Sequence, residues 1–365
     1  MAARGESAER ESRPFPERLL IVRMSAMGDI LHTLPAAIAL RQAYPRAILG
    51  WLIEERWADL LSGLETVNSQ SGAKQPRLVD ALHVVNTKKW RKRPLDGSVW
   101  KQIKGSLEGL RRMHYQVAVD FQGLLRSALL AKYSGAELRY GFGEPRERLA
   151  RLLYNRPVAA RGTHVIEQNM SLAEAAAHQS LAVPDFELAP DDEEQRACDA
   201  WLRQYRSDRF ALLNPGAGWG AKQWPAERYG QVALRLAKMG LPSFVHAGPS
   251  EDGLARLVET ASHRTAVPVT CSLPRLIALT RRAAVFIGGD TGPLHLAAAL
   301  HVPVVAIFGP TNPARNGPFG THSIVLRSPS SQTSHSRRPE PDRGLFNIST
   351  DEVVSAALKL VGSPG

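Results

Sequence analysis

Residues 19–36 read LLIVRMSAMGDILHTLPA, and the order of chemistry along them decides the fold. The apolar, uncharged run 19–22 has the length and composition of a short buried strand. Small and flexible residues follow, with one acid, Asp29, among them. From about residue 30 to residue 43 the apolar residues recur at helical spacing. A strand therefore turns into a helix through Gly28-Asp29, and Asp29 lies past the carboxyl end of that strand, where open parallel sheets take their ligands. As a helix N-cap it would be structural. As a carboxylate facing a cleft it could accept a proton from a hydroxyl. His32, about one turn on, could orient it, although a single histidine is more often simply packed. The stretch alone supports both readings.

The same grammar recurs along the chain. In the first half, residues 48–53, 79–85 and 117–120 read as strands, the last followed by a helix over 124–133. Strands separated by helices predict βαβ units and a parallel sheet. Residues 184–192, with two prolines and three aspartates, read as a linker before a helix at 193–205. The second half restarts with a strand at 210–214, a glycine-rich turn and a helix at 225–239. Strands at 243–246, 283–287 and 302–308 follow, with a helix at 252–261 and another opened by GGDTGPLH at 288–295. The expected fold class is α/β: two Rossmann-like, doubly wound domains facing across a cleft. The expected boundaries are a disordered leader at 1–16, a first Rossmann-like domain at 17–185 and a second at 186–325. A Ser/Pro/Arg-rich loop at 326–347 and a C-terminal helix at 348–365, capped by Ser349, complete the chain.

Composition narrows the class. The formal net charge of +11 over 365 residues implies anionic partners: nucleic acid, an acidic membrane face or phosphorylated substrates. Five cations, Lys88, Lys89, Arg91, Lys92 and Arg93, surround Trp90 in what reads as a basic loop. Nucleic-acid binding would call for aromatic and basic platforms over a larger surface than one loop. Two cysteines far apart suit a reducing cytoplasm. No apolar run approaches the roughly 18 residues of a membrane span, and the N-terminus lacks the apolar core of a signal peptide.

Three further stretches carry chemistry. Gly288–His295 places Asp290-Thr291 as an N-cap and Pro293 in the first turn; such a helix start could bind phosphate or be a capped helix and nothing more. Residues 214–225, NPGAGWGAKQWP, hold three glycines and then Lys222. The loop lacks the ending of a Walker A motif, yet glycines with a lysine before a helix suit a diphosphate. Glu251, just after the strand at 243–246, stands where nucleotide-binding folds take ribose hydroxyls. No Asp-x-Asp motif or His/Cys cluster suggests a metal.

Together these blocks resemble the bacterial lipopolysaccharide heptosyltransferases, glycosyltransferase family 9. Residues 25–35 (SAMGDILHTLP), 88–92 (KKWRK), 120–127 (DFQGLLRS), 164–169 (HVIEQN) and 289–295 (GDTGPLH) are similar to that family's motifs in the same order, over about residues 18–319. KKWRK and Tyr154-Asn-Arg156 bring it nearest to the heptosyltransferase I group. The resemblance implies the GT-B fold and inverting, metal-independent transfer of L-glycero-D-manno-heptose from ADP-heptose to Kdo of the inner core, with no cofactor. It implies Asp29 as general base. On the donor it implies Gly218, Lys222, Glu251, Cys271 near the adenine, and the turn of Asp290, Thr291, Gly292 and His295. On the acceptor, Kdo-lipid A, it implies Lys88, Lys89, Arg91, Lys92 and Arg126, with Gln122 and His32. The enzyme would be cytoplasmic, peripheral on the anionic inner face of the inner membrane, and would have no nucleic-acid partner. In this chain the phosphate loop has no hydroxyl residues just upstream of Lys222, and the end after residue 328 is Ser/Arg-rich instead of cysteine-containing.

Overall fold

A computed structural model describes residues 16–61, 66–67, 77–93, 95–184, 187–205, 209–248, 251–334 and 338–362. The expected leader, up to residue 15, lies outside the described residues. Two six-stranded sheets organise the chain, and every strand pairing within them is parallel. The first runs, across the sheet, Ala81–Val85, Ile48–Glu54, Arg18–Val22, Val117–Asp120, Leu138–Phe142 and Arg156–Val158. The second runs Ala266–Val269, Ser243–His246, Ala211–Asn214, Val285–Gly289, Val304–Phe308 and Ser323–Arg327. Numbered along the chain within each sheet, both orders are 3-2-1-4-5-6, the dinucleotide-binding order. The strand order reverses between strands 1 and 4. The crevices at the carboxyl ends therefore open beside Val22 and Asp120 in one domain, and beside Asn214 and Gly289 in the other.

The central strands are buried along their length, Arg18 at the start of the first excepted, which is why they read as apolar runs. Four strands carry no such run. Arg156–Val158 and Ala266–Val269 are edge strands that contain a proline, tolerated there because an edge strand leaves N–H groups unpaired. Leu138–Phe142 and Ser323–Arg327 mix arginine with apolar residues and are only part-buried.

Several elements differ from expectation. The helix expected over 30–43 is two, Met27–Leu31 and Leu34–Ala43. In an unbroken helix the Pro35 ring would meet the carbonyl of Leu31, so the chain turns at His32-Thr33 and restarts with Pro35 in its first turn. The basic loop is a short helix, Thr87–Lys92, whose Asn86 Oδ1 accepts from the Lys89 amide at 2.9 Å. Within the expected linker, Glu187–Leu188 pairs antiparallel with Thr66–Val67. The tail is tied down too: the Ala221 amide donates to the Arg338 carbonyl (3.0 Å) and the Asp342 amide to the Ala221 carbonyl (3.1 Å). Ser349 does cap Thr350–Gly362, accepting from the Glu352 amide at 3.2 Å.

The domains touch through two helix starts. Met27–Leu31 packs on Gly292–Ala299. A Cβ on Gly28 would stand 2.5 Å from His295 Cδ2, and one on Gly292 would stand 2.7 Å from Met27 Sδ. Only glycine allows this approach from either side. Beneath the first domain's crevice, the buried Asp120 carboxylate accepts from Tyr154 Oη (2.7 Å), Ser127 Oγ (2.8 Å) and the Gln122 amide (2.8 Å). Gln122 Oε1 in turn accepts from the Met24 and Ser25 amides at 3.0 and 3.1 Å, so this network shapes the loop ahead of Asp29. Tyr154→Phe, which removes one partner of a buried carboxylate, is expected to lower stability by about 1–3 kcal/mol, read as a lower urea midpoint with unchanged slope.

Candidate active site

Each domain delivers one acid to the crevice. Asp29 is the third residue of helix Met27–Leu31, whose N-cap position is Ala26, so it is not the N-cap. Its Oδ1 pairs with Arg23 Nη2 at 2.9 Å, and its Oδ2 meets Arg146 Nη1 at 3.5 Å and the Ala26 amide at 3.3 Å. Burial opposes ionisation of this carboxyl. Arg23 and Arg146, with the Ala26 amide, more than offset that and hold Asp29 below the ordinary carboxylate range.

Asp290 is placed otherwise. It does not cap the helix at Gly292–Ala299; Thr291 occupies that position and makes no side-chain cap bond. The Asp290 carboxylate accepts from Lys222 Nζ (2.6 Å) through one oxygen and from His295 Nε2 (3.0 Å) through the other, while its carbonyl takes a second Lys222 contact at 3.2 Å. Burial again opposes ionisation, and the His295 and Lys222 contacts overcome it, so Asp290 is held ionised. Its side chain is 6% exposed, against 22% for Asp29. Asp29 is the more accessible of the two, whereas Asp290 is an anchor for Lys222 and His295.

The Lys222 loop has its own construction. The position of a Cβ on Gly216 is filled by the Glu251 carboxylate (2.0 Å), and that of one on Gly220 by the Pro339 carbonyl oxygen (1.6 Å). Gly218 alone of the three faces open space. Glu251 Oε2 accepts from the Gly248 amide at 2.8 Å. Lys222 Nζ also lies 5.1 Å from the centroid of the Trp219 ring, a cation–π distance.

The structure thus brings Asp29, Lys222, Asp290, Gly292 and His295 to one junction. Gly292 spends its open side on Met27. His32 is buried, its ring 4.2 Å from that of His295 and 5.6 Å from that of His164; burial first, then the two neighbouring imidazoles, push its pKa well down. It is a packed, neutral ring. Gln122 is a positioning group, its oxygen given to the Met24 and Ser25 amides. Lys88, Lys89, Arg91 and Lys92 lie on their short helix, none of them buried. Arg126 Nη1 reaches Thr87 Oγ1 at 3.4 Å beside them. Cys271 packs at the edge of the large core, its thiol pushed up to about 11 by burial. Among the described residues, no group of three or more His, Cys, Asp or Glu side chains could hold a metal.

Sequence reasoning gave no role to Arg23, Arg146 or Arg315, and named His164 only as part of the block at 164–169. His164 Nε2 donates to the Gly317 carbonyl at 3.1 Å, a second tie between the domains. Arg315 is close enough to feel both Asp29 and Asp290. Arg23 had a signal, being the first charged residue after the strand. Arg146, in a loop, and Arg315, in the short helix Pro313–Asn316, stand far along the chain with no motif.

Two acids in fixed, unequal environments beside cations and two helix starts suit transfer from an anionic leaving group to a hydroxyl. Comparisons agree. The family described as Glycosyltransferase family 9 (heptosyltransferase) matches residues 106–344. Lipopolysaccharide heptosyltransferase 1 of Pseudomonas aeruginosa is 30% identical over 351 residues, 92% of each chain. The solved E. coli heptosyltransferase WaaC with ADP superposes with a TM-score of 0.74 at 25% identity, covering 94% of this chain and 99% of that one. The same enzyme with ADP-2-deoxy-2-fluoro heptose gives 0.72 at 26%, with the same coverage.

Because Arg146 favours the ionised form of Asp29, Arg146→Gln should raise the Asp29 pKa. In a carboxyl-carbon NMR titration, assigned by loss of the signal in Asp29→Asn, the wild-type resonance should titrate below the usual value of about 3.9. The Arg146→Gln resonance should titrate at higher pH; an unmoved midpoint would remove Arg146 from the site.

Proposed function

The chain belongs to glycosyltransferase family 9, the heptosyltransferases, and from that premise we propose that it moves L-glycero-D-manno-heptose from ADP-heptose to a Kdo residue of the lipopolysaccharide inner core, with inversion at the anomeric carbon. The observation that carries this reading is the inequality of the two acids. Asp29 is ionised and accessible, whereas Asp290 is ionised and fully engaged.

In this mechanism the acceptor hydroxyl attacks the anomeric carbon from the side opposite ADP. Its oxygen forms the new glycosidic bond, its proton passes to Asp29, and the bond to the phosphate oxygen breaks with its electron pair on ADP. Arg23 and Arg146 keep Asp29 ionised and aimed, at some cost in basicity. Its strength as a base matters only once the attacking oxygen has begun to bond and its proton has become acidic. On the leaving side, Lys222 supplies a cation next to the open face of Gly218, and the start of helix Gly292–Ala299 supplies amides. Thr291 Oγ1, buried without a hydrogen-bond partner, would gain one when the diphosphate closes on that start. Glu251 and Cys271 belong to the nucleoside end of the donor.

Lys88, Lys89, Arg91 and Lys92, with Arg126, take the carboxylate and phosphate groups of Kdo-lipid A. His32 and Gln122 act behind the site, without touching the acceptor. An acceptor of this kind places the enzyme in the cytoplasm, peripheral on the inner face of the inner membrane. It also gives the excess cations a purpose other than nucleic acid.

The experiment is incubation with ADP-heptose and Kdo-lipid A, expecting a mass gain of one heptose, with ADP-glucose and UDP-sugars as donor controls. Asp29→Asn should bind ADP as the wild type does and transfer about 10²–10⁴-fold more slowly. Near-normal transfer by that variant would remove Asp29 as the base, and transfer from a control donor alone would remove ADP-heptose.

A further inference from the structure

Among the described residues of the first domain, the exposed large apolar side chains include Leu95, Trp100, Leu129, Tyr133, Leu149 and Leu152. Leu95 is 97% exposed, Leu152 79%, Leu149 60% and Trp100 59%. Exposed leucines scattered singly need no explanation. These are not scattered. Helix Thr87–Lys92 packs on helix Gly97–Arg112, that helix on Leu125–Tyr133, and that one on the 3-10 helix Arg148–Leu153. Arg111 lies 5.7 Å from the centroid of the Tyr133 ring, joining the middle pair. Four neighbouring elements therefore form one continuous surface.

The 3-10 helix, RLARLL, reveals how that surface is built. With three residues per turn, positions i and i+3 share an edge. Ala150 and Leu153 turn inward against Ala128 and Tyr154. Leu149 and Leu152 form a second edge and Arg148 and Arg151 a third, all four exposed. A leucine edge thus faces solvent beside an arginine edge. The long helix repeats the arrangement at its start, where exposed Trp100 is followed by exposed Lys101 and Lys104.

We propose that this surface lies on an anionic lipid bilayer, with Leu95, Trp100, Leu149 and Leu152 entering the headgroup boundary and the flanking lysines and arginines taking lipid phosphates. Apolar side chains interleaved with cations are the composition that adsorbs to such an interface. Charge selects the occupant: the chain carries +11, and a second copy on this surface would set like charge against like. Among the described residues no helix is long and apolar enough to cross a membrane, so contact is by adsorption. Arg146, which reaches Asp29, stands two residues before Arg148, so the surface runs directly into the crevice. This inference rests on the reading in which the acceptor is a lipid, and it names the side chains that bring the protein to that lipid.

Cosedimentation with vesicles of phosphatidylcholine, with and without phosphatidylglycerol, tests it without any catalytic step. The wild type should bind only the phosphatidylglycerol vesicles. Leu149→Ser/Leu152→Ser and Leu95→Ser/Trp100→Ser, on separate elements, should each bind about tenfold or more weakly. Both should retain ADP affinity and turnover of a deacylated, water-soluble acceptor. Wild-type affinity in both variants, no preference of the wild type for phosphatidylglycerol, or a wild-type dimer that the substitutions dissociate would each overturn the proposal. A wild type that binds vesicles but transfers nothing to the soluble acceptor would overturn the activity reading and leave this surface standing.

Discussion

Everything at the junction depends on how closely two helix starts approach each other. Helix Met27–Leu31 and helix Gly292–Ala299 belong to different domains, yet Gly28 lies under the His295 ring and Gly292 under the Met27 side chain. A methyl group at either position would force the pair apart. The strand ends that feed these helices are the switch points of their sheets, so the contact sets two ligand crevices face to face. Two helix starts also bring two positive dipole ends to one place. Carboxylates at Asp29 and Asp290 are what such a place stabilises.

The two acids then divide the electrostatic labour. Asp290 is saturated: one oxygen takes Lys222, the other His295. Its charge holds the lysine in register against the glycine loop. Asp29 is held by contacts of decreasing quality, 2.9 Å to Arg23, 3.3 Å to the Ala26 amide and 3.5 Å to Arg146. The weakest of them comes from an arginine that is half exposed. Of the partners of Asp29, Arg146 is thus the one most free to give way. The three histidines behind the acids contribute packing and a tie to Gly317, with burial keeping His32 and His164 toward their neutral forms.

Much of this was legible in the sequence where one face of an element decides its composition. The central strands, buried on both sides, spell themselves as apolar runs, and Asp29, Lys222 and Asp290 follow those runs at crevice positions. Legibility fails where a neighbour decides. Edge strands tolerate Pro157 and Pro268, so they carry no strand signal. The break before Leu34 depended on where the Pro35 ring falls relative to Leu31. Residues 88–92 read as a loop because charge dominates them, whereas Asn86 supplies the cap that lets them coil. Arg146 reaches Asp29 from a loop, and Arg315 acts on both acids from a short helix, each more than a hundred residues along the chain from Asp29, which no local pattern can announce.

The glycine loop is the sharpest case of a neighbour deciding. NPGAGWGAK invites the reading of a flexible phosphate cradle, with each glycine open to the ligand. Two of its three glycines are instead spent on the protein itself, Gly216 on the Glu251 carboxylate and Gly220 on the Pro339 carbonyl. The tail then clasps the loop from beneath through the hydrogen bonds at Ala221, and Asp342 is itself fixed by Ser331 Oγ at 2.6 Å. A loop without hydroxyl side chains upstream of its lysine has its backbone groups as further donors. Their placement here comes from a segment more than a hundred residues later in the chain. Residues 338–342 of the Ser/Pro/Arg-rich tail, which looks like a dispensable appendage, are therefore part of the framework that holds the glycine loop in shape.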